Sequence, residues 1–225
     1  AGSPQRDVLF CGLPSEDVAS LQDELLEDGV YPLRLELGTV ALIGGMADCL
    51  AHARSKAPVL VLEVGADVTH AFIVTAGGVD VSRPLSHGYA AMVPLMQKEL
   101  GLKDEEAARK MFFSNTFDFT GLAPALLRRL VADLQSSTGF YEVQTGQSVA
   151  HVFTSHLPGP LSWLNGALAA ALGLPAFRPD PLPWLASRRI TVPDALATTA
   201  RDPRWLGLLS LMVQTNTADA VPVQE

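Results

Sequence analysis

The chain is short of cysteine. It has two, Cys11 and Cys49, and neither sits in a Cys-x-x-Cys spacing. Two thiols cannot build a disulfide framework, so both read as reduced, buried residues of a cytosolic protein. Charge is sparse too, at 18% of residues, and the net charge is -8. No basic patch stands out, which removes nucleic acid as an expected partner. The acidic balance gives no direct attraction to anionic lipid. Five histidines are present, but His52, His70, His87, His151 and His156 show no metal-ligand spacing. No signal peptide is expected at the start. The longest stretch free of charged residues, 143–177, is broken by Pro158, Pro160, Asn165 and Pro175. Its apolar part, LSWLNGALAAALGL, is too short to cross a bilayer core of about 30 Å. Direct membrane insertion is therefore not expected.

What is present is apolar substance. The chain has 225 residues, 48% of them hydrophobic. That is enough for a substantial core and argues against disorder. "DVLFCGL" (7–13) reads as a strand and "EDVASLQDELLEDG" as a helix with Val18, Leu21 and Leu25 on one face. "YPLRLELG" (31–38) alternates like a half-buried strand. "TVALIGGMADCLAHARSK" reads as a helix, with Gly44-Gly45 permitting close packing on a sheet. "VLVLEVGADVTHAFIVTAGGVDVSRPLSHG" then gives strands at 59–64 and 69–75 and a third ending near Gly88, an antiparallel meander. Helices follow in "YAAMVPLMQKELGL", where Pro94 limits the first turn, in "KDEEAARKMF", and over 120–135. "HVFT" (151–154) is a strand, and a helix opens at Pro160 and closes before Gly173. "PAFRPDPLPW" reads as extended, and "DPRWLGLLSLMV" as a last helix. Strand pairing of this kind with βα units indicates an α/β fold with a mixed sheet and packed helices. No internal repeat of solenoid period is found. Three regions are expected: 8–88, a helix-rich 89–213, and a frayed tail at 214–225.

The order of elements resembles the actin-like (ribonuclease H-like) ATPase superfamily, and within it the PilM family of type IV pilus assembly proteins. The second phosphate motif of that family, Asp-x-Gly-x-x-x-Thr/Ser, is matched by Glu63, Gly65 and Thr69. Its Arg-x-x-x-x-Gly-Gly ending is matched by Arg83, His87 and Gly88. "KELGLKDEEAARK" resembles the acidic helix that follows. "HVFTSHLPGPLSWLNGALAAALGLPAF" resembles the adenosine motif. The resemblance covers most of 8–213, while the family's first third has no counterpart here, so the fold is expected to be partial.

The resemblance implies a nucleotide site made of Glu63, Gly65, Ala66, Thr69, His156 and Gly159. A phosphate cradle needs bare backbone N–H groups, which Gly65 favours. Glu63 stands where the family has Asp, and its extra methylene displaces the carboxylate by roughly one bond length. Misplacement on that scale can cost about 10²-fold in rate. Asp67 is a rival acid, although an acid in a turn is common. Ser155-His156-Leu157-Pro158 stands where the family has glycines, and side chains there crowd the place of the base. Taken alone, Glu-x-Gly in a hairpin is a weak motif and is most often a plain turn. His70 reads first as an ordinary strand residue. Trp163, Trp184 and Trp205 read first as core, with Trp184 a candidate partner anchor.

The resemblance implies a non-catalytic actin-like scaffold of a type IV pilus or type II secretion-like machine, at the cytoplasmic face of the inner membrane. The implied partner is a membrane protein with a short cytoplasmic tail. An assembly ATPase is the second, as for the related GspL cytoplasmic domain. No cofactor is expected, with ATP and Mg²⁺ open for a longer protein. The competing expectation is an ATP-binding or ATP-hydrolysing enzyme whose first phosphate loop lies upstream of this chain. A third is an α/β segment with no activity of its own.

Overall fold

A computed structural model describes residues 10–218 apart from 33, 115 and 156, with the backbone alone at 215–218. Its centre is β1 (Val59–Val64). A run of Val and Leu has no polar side, so it needs cover on both faces. It finds it. β1 pairs antiparallel with β2 (Thr69–Thr75) and parallel with β4 (His151–Ser155), and β3 (Gly78–Leu85) lies outside β2. The sheet order is β3-β2-β1-β4. The strand bounds expected at 59–64 and 69–75 are those observed. β4 comes from the second expected region and completes the sheet begun by the first.

Alternation along β1 sorts the core into two layers. Leu60, Leu62 and Val64 meet α3 (Met92–Leu100), α4 (Glu105–Phe112), α5 (Ala123–Thr145) and α6 (Trp163–Leu172). Val59 and Val61 meet α2 (Gly38–His52), α7 (Pro181–Ser187) and α9 (Leu206–Ala218). The short α8 (Ala197–Ala200) joins the last two. The result is a helix–sheet–helix sandwich. α1 (Ser15–Glu27) stands apart from both layers, with no residue buried.

Several elements differ from the sequence reading. Residues 10–13 and the described part of 31–37 form no strand, and 7–9 lie outside the described residues. A strand needs a neighbour for its ladder. Both sheet edges are already occupied or blunted. Ala176 bridges Val152 beside β4, and β3 presents Asp80, Arg83 and Pro84 outward. The Gly44-Gly45 pair packs on α9 rather than on the sheet. A Cβ at Gly45 would lie 2.9 Å from the Ser210 Cβ. Within "PAFRPDPLPW", α7 replaces the extended end. Asp180 caps it by accepting the Leu182 N–H, and Pro181 takes the first helical position. Trp184 is thereby buried in the α2 layer, which removes it as a partner anchor. α5 runs to Thr145, ten residues past the expected 135, and ends at Gly146 in the left-handed region. α9 continues to Ala218, into the segment expected as a tail. Cys11 is exposed, not buried.

The end of β3 bolts α5 to the sheet. Arg83 donates to Ser137 Oγ at 2.9 Å, and His87 Nε2 pairs with Asp133 at 3.0 Å, one helical turn earlier. The buried Tyr141 donates to Asp80 at 2.8 Å. Burial, helped by that carboxylate, pushes the phenol pKa up. Gly88 then lies against the β1–β2 loop. Its φ of -112° suits any residue, so only space demands glycine. A Cβ there would sit 2.1 Å from the Ala66 carbonyl oxygen and 2.5 Å from the Asp67 nitrogen.

Two outcomes follow from this packing. Gly88→Ala must move backbone, so it should lower unfolding stability by about 1–3 kcal/mol in urea titration. Gly78→Ala meets no neighbour within 4 Å but is strained by φ +124°, and serves as the comparison for a conformational cost alone. Burial, and secondarily Asp48, push the Cys49 thiol up to about 12. A thiol so protonated is a poor nucleophile. At pH 8 a thiol reagent should label exposed Cys11 in the native protein and reach Cys49 only in denaturant.

Candidate functional site

In a sheet with parallel strands, ligands bind beyond the carboxyl ends of those strands. β1 and β4 are the parallel pair, and a cavity of about 630 Å³ opens beyond both. Glu63, Val64 and the loop Gly65–Val68 form one wall. Gly38 and Thr39, the first turn of α2, form another, and Tyr89, His70 and Pro158 complete the rim.

Strand parity explains the position of Glu63. It shares the face of Val59 and Val61, the face that α2 covers. The start of α2 lies at the level where β1 ends, so Thr39 Oγ1 donates to Glu63 Oε2 at 2.8 Å. A hydrogen bond to an ionised acceptor contributes about 1.5–3 kcal/mol. The first turn of α2 has no side-chain cap, and its N-terminal dipole also favours a carboxylate nearby. Glu63 is half-buried and held, with its carboxylate engaged by the protein itself.

The loop after Glu63 is fixed by its carbonyls. Gly65 N–H donates to the Val68 carbonyl at 2.9 Å, closing the hairpin. Tyr89 and Ala90 donate to the Gly65 and Ala66 carbonyls, each at 2.9 Å. The loop therefore turns its oxygens toward the 87–90 segment. The N–H groups of Ala66, Asp67 and Val68 donate to no acceptor among the described residues. Consecutive amides of this kind attract anions. The Glu63 and Asp67 carboxylates on the same wall oppose that attraction.

The expected site residues are thus only partly brought together. Glu63, Gly65 and Ala66 line the cavity. Thr69 does not. It is fully buried, and its hydroxyl donates to the His87 carbonyl at 2.5 Å. Its role is to anchor the loop to the end of β3. Gly159 opens a 3-10 turn and is not on the cavity wall, where Pro158 takes its place. His156 lies outside the described residues. His70 is an exposed strand residue stacked on Phe72 with ring centroids 6.4 Å apart. Gly38, Thr39 and Tyr89 were missed by sequence reasoning. Thr39 is 24 residues from Glu63 and meets it only through tertiary packing, although Gly-Thr opening a helix was a visible hint.

These residues fit a nucleotide poorly. Half of a phosphate cradle is present in the three amides and the α2 terminus. The threonine hydroxyl is turned away, the acid is engaged, and proline on the opposite wall offers no N–H. Among the described residues no group of His, Cys, Asp and Glu is placed to hold a metal ion. Among them, too, no helix is long and apolar enough to cross a membrane.

No family model and no curated protein matches the sequence. Solved structures do match in fold. A PilM-PilN type IV pilus biogenesis complex superposes with a TM-score of 0.61 at 20% identity, over 90% of this chain and 58% of that one. The archaeal actin homolog Ta0583 gives 0.48 at 10% identity, over 79% and 53%. MreB 5 of Spiroplasma citri bound to AMPPNP gives 0.48 at 12%, over 93% and 68%. The chain spans little more than half the length of the PilM chain it matches. The mixed sheet between two helical layers, ending in the Glu63–Thr69 loop, is the actin-like ATPase fold.

Proposed function

We propose that this chain is a non-catalytic actin-like scaffold of a pilus-type assembly machine, acting at the cytoplasmic face of a membrane through a membrane-protein partner. One observation carries the non-catalytic part. The two side chains that a phosphate loop would aim at its ligand, Glu63 and Thr69, are both bonded within the protein, to Thr39 and to the His87 carbonyl. The loop is built as a joint between β1, α2 and the end of β3. The pilus assignment is supported by the fold likeness to PilM in its complex with PilN. On that likeness the partner is a pilus membrane protein with a short cytoplasmic tail. An assembly ATPase is the second candidate partner.

A second reading has one observation in its favour. The free amides of Ala66, Asp67 and Val68 are the kind of donors that a phosphate uses. Under it, the chain is part of an ATP-binding enzyme.

Thermal unfolding with Mg-ATP separates the two. A ligand at 100 times its Kd stabilises the folded state by about 2.7 kcal/mol. The scaffold reading expects no change in Tm at millimolar Mg-ATP and no phosphate release. A concentration-dependent rise in Tm that Ala66→Pro abolishes would establish the nucleotide reading instead. The partner half is tested by calorimetry with a peptide of the short cytoplasmic tail of a PilN-type protein. Saturable binding supports it, and absence of binding to the folded chain sinks it.

A further inference from the structure

Helix α1 is an oddity of energetics. It has 13 residues and none is buried. A helix this short is marginal in water without a packed face. It has such a face: Val18, Leu21 and Leu25 recur at helical spacing, and Leu21 is 48% exposed. The helix is also one-signed. It carries Glu16, Asp17, Asp23, Glu24 and Glu27 and no Lys or Arg.

The opposite chemistry lies on the far side of the sheet. A groove of about 970 Å³ runs between α5 and α6. Phe119 stacked on Trp163 forms part of its wall, with centroids 4.1 Å apart. Gly166, Ala167 and Ala170 keep the α6 side low enough for another helix to approach. Arg128 stands on its rim and is shared with the neighbouring α3–α5 cleft, where Arg129 and Lys98 also lie. These three cations form no ion pair among the described residues. That is notable in a chain of net charge -8. The groove follows α5 from Ala123 to Gln135. At 1.5 Å per residue that is about 18 Å, and α1 is about 20 Å long.

We propose that the groove between α5 and α6 takes helix α1 of a second copy of this chain. Val18, Leu21 and Leu25 enter the groove, and the acidic flank of α1 faces Arg128 and Arg129. α1 does not serve its own groove. It enters the fold through α2, on the opposite face of the sheet from α5 and α6. The contact is heterologous, so copies add head to tail, as an open row or a closed ring. This does not depend on the scaffold reading or on any nucleotide.

Sedimentation velocity of the full chain over a concentration series tests the proposal, with two variants. Leu21→Asp spoils the helix and leaves the groove. The double variant Arg128→Glu, Arg129→Glu spoils the groove and leaves the helix. The wild type should grow in mass with concentration, and each variant alone should stay a monomer. An equal mixture of the two variants should form a one-to-one pair and stop there, because each brings one working surface. That pairing also shows that both variants are folded. A wild type that stays monomeric at all concentrations overturns the proposal. So does a variant that self-associates like the wild type, or a mixture that fails to pair although both variants keep the wild-type circular dichroism.

Discussion

The structure depends on a strand that has no exposed face. β1 is apolar on both sides, so it must lie between two helical layers with a strand on each flank. That demand places β2 beside it through a short hairpin and recruits β4 from some 90 residues later. It also decides what the two halves of the chain do. Residues after the meander supply one helical layer, and residues from both ends supply the other. Hydrophobic burial on this scale is non-directional, but the pairing register is not. Glu63 falls where it does because parity along β1 leaves it no other side.

The candidate site is the point where this demand ends. β1 runs out at Val64, and the chain must turn in the gap between the sheet and the start of α2. Every polar group there has competing claims. Thr39 claims the Glu63 carboxylate, the His87 carbonyl claims the Thr69 hydroxyl, and the 89–90 amides claim two loop carbonyls. A loop satisfied in this way is stable without a ligand. That distinguishes a joint from a cradle, even when the backbone path is shared.

Much of this architecture is legible in the amino-acid sequence. The meander can be read because its strands alternate at period two and its turns carry Gly and Asp. The long α5 can be read from its leucine stripe, although its end cannot, since Phe140 and Val143 face solvent and blur the period. The strands read at 7–13 and 31–38 illustrate the limit of alternation. It shows what a segment would do beside a neighbour, not whether a neighbour exists. α7 is hidden by three prolines, yet Asp180-Pro181 is a capping signal that weighs more than the overall proline content. At the site, Glu63 and Gly65 are visible as a motif. Thr39 is not, because no local pattern says which helix start will meet which strand end. Gly88 stands out as a family position, but its reason, a backbone passing within contact of its Cα, is a property of the packed fold.

The edges of the sheet carry a last consequence. Ala176 occupies the outside of β4, with Phe177 donating to the Val152 carbonyl at 2.7 Å. At the other edge, Pro84 offers no N–H and Asp80 and Arg83 place charge along β3. An incoming extended peptide therefore finds no ladder to join. Recognition by strand addition is closed to this sheet. Whatever binds the protein must read side chains on its helices and loops, and its specificity will reside in those surfaces rather than in shared backbone bonds.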